Sequence, residues 1–78
     1  MEIEKIGGKE DFVRFLYCLA ADCRSCGGEW ANLSIPAFLE QMAGWIEDFS
    51  QSPMNDMDWE ALDFKAFARM LYMGKIYE

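Results

Sequence analysis

The chain has no histidine. That removes the usual general base near neutral pH, every Ser-His or Cys-His arrangement for nucleophilic catalysis, and the commonest metal ligand. Basic residues are scarce: seven lysines and arginines stand against fourteen acids, for a net charge of −7. Between Arg24 and Lys65 there is none at all. Direct binding to a phosphate backbone requires a basic footprint and is therefore disfavoured. Long apolar runs are also missing. The longest nearly apolar stretch, Phe15 to Ala21, is far too short to span a bilayer. The opening Met-Glu-Ile-Glu-Lys-Ile is acidic and lacks the basic and apolar regions of a signal peptide, so a cytoplasmic location away from membranes is expected. No internal repeat or low-complexity tract is visible.

What is present is apolar bulk. Hydrophobic residues make up 53% and aromatics 15% of 78 residues, which argues against disorder in a chain near the lower size limit for a single core. The expected organisation is an N-terminal arm over residues 1–8 and one helical domain over 9–78, with Gly7-Gly8 as the break. The charge is lopsided. The base-free interval holds Glu29, Glu40, Glu47, Asp48, Asp56, Asp58, Glu60 and Asp63, while the flanks nearly balance. A basic partner would be steered toward such a surface.

Periodicity predicts an all-α fold, a small three-helix bundle with helices over about 9–23, 35–49 and 64–77. In the middle helix Ile35, Phe38, Leu39, Met42, Trp45, Ile46 and Phe49 recur at spacings of three and four and share one face. Each is worth about 1.5–3 kcal/mol when buried. Ordering each residue costs about 1.5 kcal/mol, so this helix needs partners. In the first helix Phe12, Phe15, Leu16, Leu19, Ala20 and Cys23 form the stripe, acids Glu10 and Asp11 occupy the first turn, and Arg24 and the Cys26-Gly27-Gly28 turn close it. Ser34 is the expected N-cap of the second helix, Pro36 fits its first turn, and Trp30 and Leu33 are placed to staple the preceding loop. Gly44 suggests a close approach by a neighbouring element. Residues 50–58 read as a loop, with a short extra helical turn near 57–62 carrying Trp59 and Leu62. Asp63 caps the third helix.

Several of these residues form a pattern. An acid-Phe pair, Asp11-Phe12, opens the first helix; Trp30-Ala31-Asn32-Leu33-Ser34-Ile35 leads into Phe38-Leu39-Glu40-Gln41-Met42 and on through Trp45-Ile46-Glu47-Asp48; and Ile76-Tyr77-Glu78 closes the chain. Over about residues 10–78 this resembles an uncharacterised family of short acidic bacterial proteins, a domain of unknown function. Phe64 and Gly74 stand where that pattern has tryptophan and alanine. The resemblance implies a small helical fold and carries no activity, cofactor or catalytic residue.

Three constellations invite chemical readings. Cys18, Cys23 and Cys26 give C-x4-C-x2-C. A redox pair or part of a metal site is the sharp reading. The pair, however, lies at a helix C-terminus, where the dipole disfavours the thiolate, and a fourth zinc ligand would have to be a carboxylate such as Asp22 or Glu29. Reduced thiols with packing roles fit better. Glu40 and Glu47 share a helix face with Asp48 beside them, but opposite the apolar stripe, which suits a solvated surface rather than acid–base catalysis. Neither Gly-Gly pair follows a strand or carries the lysine of a phosphate loop.

The expectation is therefore no enzyme, no cofactor and no metal. The sequence reads as a non-catalytic acidic protein-interaction module. Its concrete form is an immunity- or antitoxin-like or phage-type inhibitor of a nucleic-acid-binding protein. The expected contact residues are Glu40, Glu47, Asp48, Asp56, Asp58 and Glu60, with Trp59 as apolar anchor; three helices cannot hide every tryptophan and tyrosine. The alternative is a structural homo-oligomer, a homodimer at its simplest, or an accessory subunit of a bacterial complex.

Overall fold

The computed structural model describes residues 2–77; Met1 and Glu78, which end the expected arm and the closing tripeptide, lie outside the described residues. The fold is all-α, with three helices and no strand among the described residues, as expected of a small three-helix bundle. The helices are α1 (Lys9–Cys26), α2 (Ile35–Ser50) and α3 (Phe64–Ile76), joined through single 3-10 turns at Gly27–Glu29 and Trp59–Ala61; a further 3-10 turn spans Ile3–Lys5. The chain divides into two compact units, Met1–Ala43 and Gly44–Glu78.

In the first unit, the carboxylate of Asp11 in the first turn of α1 reaches back to accept the backbone N–H of Gly7 at 3.0 Å, and it also pairs with Arg14. An acid three residues into a helix that satisfies an amide just before it fixes where the helix starts. The backbone N–H of Gly7 and, after it, the Arg14 guanidinium hold the Asp11 carboxyl below its usual range; partial desolvation opposes them. Phe12 and Phe15 stack along the helix at 6.5 Å.

α1 runs three residues beyond the expected 9–23, so Cys26 belongs to its last turn rather than to a loop. The reason is local. Gly27 keeps a right-handed conformation (φ −55°, ψ −29°), so the chain tightens into the 3-10 turn instead of stopping in a left-handed cap. No described residue has a positive φ.

α2 begins where the sequence predicts. The Oγ of Ser34 accepts the Ala37 N–H at 3.2 Å, its carbonyl accepts the Phe38 N–H at 2.9 Å, and Pro36 occupies the second helical position, where no donor is needed. A Cβ built on Gly44 meets nothing within 4 Å, so that glycine does not mark the close approach expected of it.

In the second unit, α3 is capped by Asp63, whose carboxylate accepts the Ala66 N–H at 3.1 Å. Lys75 in its last turn sits 5.3 Å from the ring centre of Tyr72. The expected helical turn near 57–62 is the 3-10 turn Trp59–Ala61. The apolar stripes are not sealed into a core: among the described residues none is buried, Leu16 and Ile35 are exposed, and so is the whole of α3, Phe64, Phe67 and Leu71 included.

Candidate functional site

In the second unit four of the aromatic side chains form a row. Phe49 and Trp45, one turn apart on α2, stack at 4.7 Å between centroids with planes 12° apart. Trp45 meets Trp59 at 6.2 Å in a tilted arrangement (55°), and Trp59 stacks on Phe64 at 6.4 Å (14°). These separations are those of favourable aromatic pairs. The row ties the end of α2 through the 3-10 turn to the start of α3.

Trp59 is the best-anchored member. It is half-buried, and its indole N–H donates to Asn55 Oδ1 at 3.0 Å. The same Oδ1 accepts the Met57 N–H at 3.1 Å, and the Asn55 Nδ2 faces the Ser50 carbonyl at 3.5 Å. One asparagine therefore links the end of α2, the loop and the tryptophan. Ser52 folds the loop from its other end by accepting the Met54 N–H at 3.0 Å. Trp45 differs. It is 50% exposed and its indole N–H has no acceptor among the described residues. Trp59, the expected apolar anchor, is held within the row; of its two tryptophans Trp45 is the more open, and Phe64 at the far end is 52% exposed.

The predicted acidic residues fall as follows. Glu40 lies on α2 in the first unit. Glu47 and Asp48 are on the last turns of α2, Asp56 and Asp58 in the loop, and Glu60 within the 3-10 turn, all in the second unit. All six are exposed and none forms an ion pair among the described residues. Asp58 precedes the 3-10 turn without a capping hydrogen bond from its side chain. Helical geometry puts Asp48 three residues from Trp45 and on its flank, while Glu47 and Glu40 point roughly to the opposite side of α2. Asp48 is thus the carboxylate on the flank of Trp45, and Asp58 and Glu60 adjoin Trp59 in the chain. Glu40 and Glu47 belong to another face.

The first unit holds a shallow cleft lined by Cys23, Trp30, Asn32, Leu33, Ser34, Ile35 and Phe38. Trp30 stacks on Phe38 at 6.4 Å and donates its indole N–H to the Asp22 carboxylate at 2.8 Å. The loop is thus stapled to α2 mainly by Trp30, with Leu33 left 65% exposed. Asp22, one of the two carboxylates named as a fourth zinc ligand, accepts the Trp30 indole N–H. Cys18, Cys23 and Cys26 are free thiols along α1, Cys23 half-buried and the other two exposed. Among the described residues no three of Cys, Asp and Glu converge as a metal site would require, and no helix is long and apolar enough to cross a membrane.

No curated protein and no solved structure gives a significant match to the chain. A family model described as "Family of unknown function (DUF7660)" matches residues 8–78, nearly the whole sequence, and it carries no assigned activity or site. The chain belongs to this family of unknown function, DUF7660.

Proposed function

We propose that the protein is a non-catalytic, acidic interaction module of the cytoplasm that binds a partner with a basic surface. The observation that carries this reading is the half-exposed Trp45 in a fixed aromatic row, in a unit whose carboxylates Asp48, Asp56, Asp58 and Glu60 have no intramolecular cation. Interfaces are built from aromatic anchors with polar rims, and complementary charge accelerates encounter. The absence of basic residues from 25 to 64 leaves nothing in that interval to neutralise the field. The concrete form is an immunity- or antitoxin-like or phage-type inhibitor that covers the basic site of a nucleic-acid-binding protein.

The test is kinetic. The association rate with a basic protein captured by the tagged chain should fall by about 10-fold or more as salt rises from low to physiological strength. Asp48→Lys and Asp58→Lys should slow it further without changing the far-UV circular dichroism. A rate indifferent to both salt and charge reversal overturns the reading.

A second reading is a homo-oligomer or accessory subunit, favoured by the partial exposure of Phe67, Met70 and Leu71 along α3. Light scattering separates the two. A monomer supports the first, and a stable dimer that shields tryptophan from acrylamide supports the second.

A further inference from the structure

We infer that the group the partner presents to Trp45 is an arginine side chain, its guanidinium laid on the open part of the indole with Asp48 beside it. This rests on the basic-partner reading above and adds the chemistry of the contact.

Three observations support it. First, the chain's three tryptophans are not equivalent. Trp30 and Trp59 spend their indole N–H groups on Asp22 and Asn55, and both are half-buried. Trp45 has no such bond and leaves half its surface open. Second, Phe49 stacked at 4.7 Å and Trp59 at 6.2 Å hold the Trp45 ring, so little side-chain entropy remains to be lost when a ligand lands on it. Third, the electrostatics select a cation. Indole has the strongest π-face for a cation among the aromatic side chains, Asp48 lies one turn along the same flank, and the interval offers no lysine or arginine of its own to occupy the ring. An uncharged apolar group would gain from the ring but not from the carboxylates. Lysine would gain from the carboxylates, but as a compact, strongly hydrated charge it stacks poorly. Arginine uses both, because its planar guanidinium stacks on a ring while its N–H edge donates to a carboxylate.

The experiment titrates the full chain at low salt with three short peptides of equal length. These alternate glycine with arginine, with lysine or with glutamine. Binding is read by isothermal calorimetry, so the readout survives loss of a tryptophan. The arginine peptide should bind about two- to fivefold tighter than the lysine peptide, the range expected of a cation on an exposed ring. That preference should vanish in Trp45→Leu and be reduced but retained in Trp45→Phe, while Asp48→Asn should weaken both basic peptides. If Trp45→Leu alters the circular dichroism, the Trp45→Phe and Asp48→Asn comparisons carry the test. Equal affinity for arginine and lysine, or a preference unmoved by every one of these substitutions, overturns the arginine assignment and leaves the basic-partner reading standing. Equal binding of the glutamine peptide, or no binding of any peptide at low salt, overturns both. A self-dimer abolished by Trp45→Leu also overturns the assignment, since the ring would then be covered by a second copy.

Discussion

The indole N–H of Trp59 donates to Asn55 Oδ1 at 3.0 Å, tying the 3-10 turn back across four residues of the loop that precedes it. Asn55 also accepts from Met57, so removing it releases two donors from one acceptor. Asn55→Leu should cost about 1–3 kcal/mol in urea-induced unfolding, chiefly for leaving the partly buried Trp59 indole N–H unpaired, since the exposed Met57 N–H can turn to water. Asn55→Asp keeps both acceptor roles and should cost clearly less. Equal losses from the two variants would mean that the asparagine acts through its bulk alone.

The capping hydroxyl of Ser34 and the carboxylate of Asp63 each serve one helix start. Ser34→Ala and Asp63→Ala should each destabilise by about 0.5–2 kcal/mol, whereas Asp63→Asn should cost only a fraction of that. Circular dichroism melts of the three variants check this.

Gly74 lies in the last turns of α3, and a Cβ there meets nothing within 4 Å. Gly74→Ala should therefore gain up to about 1 kcal/mol from helix propensity and from a less flexible unfolded chain. A loss of stability would reveal a neighbour that this helix needs at that spot.

Asp11 gives the start of α1 a pH dependence. Its carboxyl titrates below the ordinary value of 3.8, chiefly because the Gly7 N–H bonds to the charged form. A depressed folded-state pKa means that the contribution is fully present above about pH 4. It is lost as pH falls through the lower folded-state value. Asp11→Asn should accordingly lower Tm at pH 7, and the difference should shrink in acid below pH 3.8. A gap of constant size across that range would assign the effect to shape rather than charge.

Sequence reasoning reached as far as the chemistry is local. Ser34 and Asp63 are legible because a cap is settled within three residues, and the turn at Trp59 because so large an apolar side chain is out of place in a polar loop. The end of α1 was less legible: glycine permits a left-handed stop but does not compel one, and Gly27 stays right-handed. The choice between Trp45 and Trp59 as the outward ring depends on which indole finds an acceptor. That acceptor is Asn55, a residue that reads as an ordinary turn former among serine, proline and aspartate. The Trp30 to Asp22 bond spans the end of a helix, where no periodicity points to it.

Collisional quenching shows, without any partner, whether Trp45 is accessible and lies in a negative field. In the Trp30→Phe, Trp59→Phe double variant, Trp45 is the only tryptophan emitter. Its quenching by caesium and by iodide at low salt is compared with that of N-acetyltryptophanamide. Caesium quenching should be enhanced relative to the free fluorophore, iodide quenching suppressed, and the difference removed by added sodium chloride. Iodide quenching as effective as caesium on that scale, or no quenching by either ion, would contradict that expectation.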